Sequence, residues 1–298
     1  MLIGGGASGK TNILRAILFC LYGNSQLPKG FRPVSINALQ ENKQNGSNCI
    51  ETFVELHLEH KGVLYELKRK IEANQYKDES IEETKTVKLI LKRSDARPEI
   101  KTNPAEIDEI IASILDSRLK DYFLLEGDKI VDLSQTDVRK TLKAVGKELT
   151  KEIQGRVAQI ATDLSKELLM ERDQQHVSRI TVSKDYSIEV TNEDGHSCFG
   201  ILSAGERLVV SLCFVIALAK IIAGEDFHEM SFIMDSPFIR LTSEYRSQLV
   251  EKLPGLLNQW ILIAHEAEVA KGEIVILKKC NRLNRTYVLE QISRGGSF

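Results

Sequence analysis

Gly4, Gly5, Gly6, Ala7, Ser8, Gly9, Lys10 and Thr11 stand in an unbroken run whose spacing matches GxxxxGK[ST], the pattern of a phosphate-binding loop. The residue types suit that chemistry. Glycines let successive backbone N–H groups turn toward phosphate, Lys10 reaches the β and γ oxygens, and Thr11, with Asn12 behind it, opens a helix whose positive end favours an anion. Thr11 is also the hydroxyl that would ligate Mg2+ beside ATP. At ordinary glycine usage the pattern arises by chance in roughly one chain in a hundred of this length, so an incidental flexible turn is the weaker reading.

Three further constellations carry chemistry. Ser203-Ala204-Gly205-Glu206 has the spacing of a capping box, Ser203 and Glu206 each satisfying a backbone N–H at a helix start. A helix start with a glycine that lets another backbone come close is equally an anion site. Phe232-Ile233-Met234-Asp235 reads as an apolar strand ending in a carboxylate, placed as a magnesium ligand is; a strand-ending Asp is also a common turn former. Ile261-Leu262-Ile263-Ala264-His265 ends another buried strand in an imidazole. A lone His is more often structural, but neighbouring parallel strands present their carboxyl ends to one crevice, which points His265 toward a γ-phosphate.

The elements that must position these groups follow from periodicity. Met1 to Ile3 leave room for one short strand before the glycine loop, and Asn12 to Leu18 has helical apolar spacing. Thr52–Glu59 and Val63–Ile71 form a hairpin, Glu72–Lys85 a polar loop, and Thr86–Arg93 a third antiparallel strand. Asn103 caps a helix that starts at Pro104 and runs to Leu115. Tyr122–Leu125 reads as a short strand. Val138, Leu142, Val145, Leu149, Ile153, Val157, Ile160, Leu164 and Leu168 recur at helical spacing, in one long helix or two broken at Gly146. Strands at Arg179–Ser183 and Tyr186–Thr191 precede a buried helix over Leu208–Ile222. Then come strands at Phe232–Met234 and Trp260–Ala264 around a helix at Ser243–Leu257, and a final strand pair near Ile274–Leu277 and Thr286–Leu289. Alternating strands and helices predict an α/β core.

Forty basic and 42 acidic residues nearly cancel in the 298-residue chain, so bulk charge points to neither a nucleic-acid nor a membrane binder. Five widely spaced cysteines without a CxxC pair argue against a disulfide framework or a zinc site and for buried thiols in a reducing compartment. No apolar run of spanning length and no signal pattern is evident, so a cytoplasmic protein without a membrane partner is expected.

The order of phosphate loop, antiparallel layer, helical excursion, signature, Walker B strand and switch histidine resembles the ATP-binding-cassette heads of the structural-maintenance-of-chromosomes and double-strand-break-repair ATPases. Within that class the chain is most similar to the DndD-type ATPases of DNA phosphorothioation. The similarity lies in Leu21-Tyr22-Gly23, Ser35-Ile36-Asn37, Tyr122 to Ile130, Leu202 to Arg207 and Asp235 to Leu241. It implies an α/β P-loop head that dimerises around Mg·ATP, with Ser203, Gly205 and Glu206 serving the partner's nucleotide. DNA and the proteins of a modification, repair or defence complex are the implied partners.

The resemblance also implies a division into an N-terminal lobe (1–133), a helical stub in place of coiled-coil arms (134–178) and a C-terminal lobe (179–298). The missing early strands suggest a start trimmed relative to the class. Three positions depart from the pattern. Ser236 stands where a water-polarising glutamate is usual, Thr242 where a D-loop aspartate is usual, and Glu126 where the lid glutamine is usual. Glu126 is therefore either the residue that orients water or a solvated turn residue. The alternative to an ATPase is a nucleotide-dependent clamp with little hydrolysis. A transporter subunit fits less well, because the head is split around a stub.

Overall fold

The computed structural model describes residues 1–5, 9–76, 78–117, 119–135, 151–183, 187–238, 240–269, 274, 276–278, 283 and 285–289. These fall into two compact bodies, one of residues 1–10 and 118–289, the other of 11–117. This partition differs from the lobes at 133 and 179, because the first strand and the strand at 124–126 belong to the same sheet as the late strands.

The chain opens with β1 (Leu2–Gly4) and α1 (Lys10–Tyr22), whose first residue belongs to the first body and the rest to the second. α1 ends at Gly23, at φ +67°, and its last carbonyls are not left bare. The Arg69 guanidinium donates to the Cys20 and Leu21 oxygens at 2.7 and 3.2 Å. Then come α2 (Ile36–Gln44), capped by Ser35, the antiparallel strands β2 (Cys49–His60), β3 (Val63–Gln75), β4 (Ile81–Lys92) and β5 (Glu99–Lys101), and α3 (Pro104–Ile114), capped by Asn103 as expected.

The polar stretch 72–85 is mostly strand rather than loop. Ala73 and Gln75 continue the buried face of β3 while Glu72 and Asn74 take the half-buried opposite face, and full cross-strand pairing through Gln75↔Ile81 outweighs polar composition. Phe19, Val34, Ile71 and Ala73 form the centre of a core cluster in this body.

The first body resumes with α4 (Lys120–Phe123), β6 (Leu124–Glu126) and α5 (Ile130–Gln135), so Tyr122 and Phe123 are helical and the strand starts two residues later than expected. Both aromatics are buried, which gives this segment its strand-like apolar composition without strand geometry. Of the expected long helix, 136–150 lie outside the described residues, and α6 (Lys151–Leu168) is the described part.

β7 (Arg179–Val182) and β8 (Ile188–Thr191) form a hairpin. α7 (Ala204–Ala223), β9 (Ser231–Asp235), α8 (Ser243–Leu256), β10 (Gln259–His265) and β11 (Tyr287–Leu289) follow. α7 is long and apolar enough to cross a membrane, contrary to the expectation that no such run exists. Its spanning window is 78% buried, so that apolar surface serves as core.

The parallel sheet has the order β11-β1-β10-β9-β6. The expected strand at 274–277 is not one: Ile274 and residues 276–278 are helical, and Tyr287–Leu289 instead pairs with β1. Cys20, Cys198 and Cys213 are buried free thiols, whereas Cys49 is half-buried on β2.

Candidate functional site at the carboxyl edge of the parallel sheet

Four strands deliver their last residues to one edge. Gly4 stands opposite His265, Asp235 opposite Ile263, and Glu126 opposite Asp235. The crevice beyond the carboxyl ends of such a sheet is where α/β folds bind ligands. Apolar cross-strand packing (Phe232, Met234, Leu262, Ile263, Leu125) fixes the register, so the polar ends come together by construction.

Gly9 has φ +82°, a conformation open to glycine at little cost, and α1 begins directly after it. Lys10 is buried, and its ammonium donates to the Gly4 and Gly5 carbonyls at 2.8 and 2.5 Å, which aims it back into its own loop. Gly6, Ala7 and Ser8 lie outside the described residues. Thr11 and Asn12 are the next residues of α1, in the second body. Thr11 is exposed, and Asn12 accepts from Arg15 at 3.1 Å.

Asp235 is 6% exposed. Ser236 follows at φ +51°, an uncommon value for a non-glycine residue, with its N–H on the Ile263 carbonyl at 2.7 Å and its hydroxyl 3.4 Å from the Asp235 carboxylate. The backbone here is clamped from the other side as well. A Cβ on Gly127 would lie 2.1 Å from the Ser236 oxygen and 2.9 Å from Pro237 Cα, so only glycine lets β6 and the Asp235-Ser236-Pro237 turn pack together. Glu126 itself is half-buried and pairs with Lys129 at 2.7 Å.

His265 accepts at Nδ1 from the Ala267 N–H at 3.1 Å. In the neutral ring that leaves the proton on Nε2, available to donate. Three residues on, Glu268 is buried at 3% exposure, and neither carboxylate oxygen makes a well-formed hydrogen bond. Burial pushes its carboxyl above the usual range, against the nearby Ser236 hydroxyl and backbone N–H groups of His265 and Phe238, which favour the charged form. Sequence reasoning missed both Glu268 and the reason for Gly127. The only available signal for Glu268 was an acid one turn after His265.

The signature segment forms as a complete capping box. Ser203 Oγ accepts from the Glu206 N–H at 3.2 Å, and the Ser203 N–H donates to Glu206 Oε2 at 2.8 Å. Glu206 Oε1 takes His176 Nδ1 at 2.8 Å, and Asp173 comes close to both while accepting from Tyr245 at 2.5 Å. Ser203 is exposed. Thr242, at the expected D-loop position, caps α8 by accepting from the Tyr245 N–H at 3.5 Å.

A family model described as an AAA domain, AAA_23, matches residues 1–194 of the 298. The chain belongs to this AAA domain family. Its fold is an α/β P-loop ATPase head, a parallel sheet plus an antiparallel β layer, as the sequence predicted. No curated protein matches it in sequence.

Among solved structures, the SMC head domain from Thermotoga maritima aligns over 96% of this chain and 84% of its own, at 12% identity and TM-score 0.41. The Smc head domain with an extended coiled coil bound to the C-terminal domain of ScpA, derived from Pyrococcus furiosus, aligns over 96% and 86%, at 14% identity and TM-score 0.42. The recombination mediator protein RecF, as RecF-ATPrS in the RecFOR pathway, aligns over 90% and 87%, at 14% identity and TM-score 0.34.

Proposed function

We propose that this AAA domain is an ATP-hydrolysing head of the cassette type, closing as a two-fold dimer on Mg·ATP and acting in cytoplasmic DNA modification, repair or defence. The observation that carries the ATP reading is the meeting, on neighbouring strand ends, of the buried Lys10 ammonium, the buried Asp235 carboxylate and the His265 imidazole, beside a glycine loop that opens a helix. Phosphate oxygens would take over the Lys10 ammonium from the Gly4 and Gly5 carbonyls, at a helix N-terminus that favours anions. His265 Nε2–H would donate to a γ-oxygen.

The buried strand-end carboxylate of Asp235 fits a magnesium ligand. Asp235 would hold the ion, which when bound neutralises charge on the β- and γ-phosphate oxygens, and the loop pattern of the sequence assigns it the Thr11 hydroxyl.

Support for dimerisation comes from α7. Among the described residues, nothing around Gly205 requires it to be glycine. A Cβ there would make ordinary contacts of 3.4 to 3.6 Å with Tyr245 and Leu241. Exposed Ser203 sits beside it, and Ile201, 85% exposed, is an apolar group of the kind an interface covers. A second copy approaching with its bound nucleotide accounts for all three. The DNA role rests on the resemblance of the quoted stretches to DndD-type ATPases.

The competing reading is a clamp that binds ATP and scarcely turns it over. Ser236 in place of a carboxylate favours it, as does Thr242, whose side chain is used as a helix cap. Titration calorimetry of Lys10→Ala tests the shared premise: ATP affinity should fall at least about tenfold in a folded protein, as loss of a charge-assisted phosphate contact requires. Undiminished affinity refutes the site. Steady-state phosphate release by the parent chain separates hydrolysis from clamping.

A further inference from the structure

The described residues contain three buried acids, Asp235, Glu206 and Glu268. Asp235 and Glu206 are engaged, while both oxygens of Glu268 are unpaired. A buried carboxylate without a well-formed hydrogen bond costs stability, and groups kept at such a cost cluster at working sites.

Its surroundings give it a place in the reaction. The turn that carries it hangs on the phosphate loop, since the Glu266 N–H donates to the Gly4 carbonyl at 3.3 Å, the same carbonyl that holds the Lys10 ammonium. Arg246 fixes the turn from α8 through the Ala267 carbonyl at 2.6 Å, and the Glu268 N–H closes it on the His265 carbonyl at 2.8 Å. The hydroxyl facing Glu268 is that of Ser236, the residue standing where the water-polarising carboxylate is usual. Ser236 is locked at positive φ by the Ile263 carbonyl and by the contact with Gly127, which fixes the direction of its Cα–Cβ bond.

We propose that Glu268 is a positioning residue that restores, through Ser236, the carboxylate missing after Asp235. This rests on the ATPase reading above. Glu268 draws the Ser236 Oγ–H from the Asp235 carboxylate, to which that hydroxyl donates at a long 3.4 Å, and accepts it, which turns a lone pair of the hydroxyl oxygen toward the attacking water and orients it. The water oxygen bonds to the γ-phosphorus as the bond from that phosphorus to the bridging oxygen breaks, the electron pair leaving on ADP. One water proton passes to a γ-phosphate oxygen, and the other stays on the inorganic phosphate formed. Glu268 and Ser236 end the step unchanged.

The test measures phosphate release, ATP affinity by calorimetry and thermal midpoints for the parent chain and for Glu268→Gln, Ser236→Ala, Glu126→Gln and two double variants. Glu268→Gln is expected to bind ATP within about threefold of the parent and to melt at the same temperature or higher, while kcat falls by about tenfold to a thousandfold. A merely structural Glu268 moves stability and leaves kcat in place. Ser236→Ala should fall comparably, and the pair together no further, because the two act as one unit. Ser236→Glu in the Glu268→Gln background should recover turnover.

Glu268→Gln at the parent kcat, or collapse of turnover in Glu126→Gln alone, overturns the inference. If Glu268→Gln does not fold, Ser236→Ala decides: a parent-like kcat refutes the pair, and a tenfold loss supports it. A parent chain that binds ATP but releases no phosphate overturns this inference and leaves the clamp. One that does not bind ATP refutes the head itself.

Discussion

Two glycines, Gly127 just after β6 and Gly205 in the first turn of α7, make opposite predictions. At Gly127 an added methyl meets backbone: 2.1 Å from the Ser236 oxygen, 2.7 Å from its carbonyl carbon and 2.9 Å from Pro237 Cα. None of these is the end of a flexible side chain, and Ser236 already holds a costly φ of +51°. Overpacking of this kind costs about 1–3 kcal/mol, so Gly127→Ala should lower the thermal midpoint by roughly 2–12 °C, at about 2–4 °C per kcal/mol for a protein of this size.

At Gly205 the methyl finds contacts of 3.4 Å and beyond, inside a helix where alanine is favoured over glycine by about 0.5–1 kcal/mol. Gly205→Ala should therefore melt at the parent temperature or a few degrees above it. If the glycine is kept for a partner's nucleotide, the same variant should weaken ATP-induced dimers by about tenfold or more, read by light scattering with a non-hydrolysable analogue. Dimers of Gly205→Ala as tight as the parent's remove the trans argument. A parent-like midpoint for Gly127→Ala shows that the turn is not pinned there.

Ser203→Arg should leave nucleotide binding by the monomer nearly unchanged, lose about 1 kcal/mol with the cap, and abolish ATP-induced dimers; persistence of dimers in light scattering refutes the exposed terminus as an interface. Glu206 sets an acid limit for the same helix: burial raises its carboxyl pKa, but the Ser203 and His176 hydrogen bonds outweigh burial and hold it below the usual range. A depressed folded pKa means that the unfolded chain takes up the proton first. The contribution of Glu206 is thus present above pH 4.5 and lost as pH falls through the folded value. Glu206→Gln keeps a capping side chain and should show a shallower loss of thermal midpoint below pH 4.5; equal slopes in the two proteins dismiss the carboxylate's role.

What the sequence made legible is what chemistry fixes locally. The Ser203–Glu206 box and the Asn103-Pro104 helix start are each specified by residues a few positions apart, and each forms as read. Strand ends were legible because apolar runs stop at Asp235 and His265. The errors lie where partners decide. Residues 72–85 look like a loop until cross-strand pairing supplies the buried face, and residues 274–277 look like a strand although the backbone at 274 and 276–278 is helical.

Glu268 shows the limit most clearly. A search for the acid that orients water begins at Asp235 and looks next door, where it meets Ser236. The parallel register sets Asp235 against Ile263, two residues short of His265, so the turn after β10 brings the acid from another strand to the same edge. Only the fold shows that this acid is buried and unpaired. The candidate replacement for the missing carboxylate therefore lies more than thirty positions away in sequence and one strand away in the sheet.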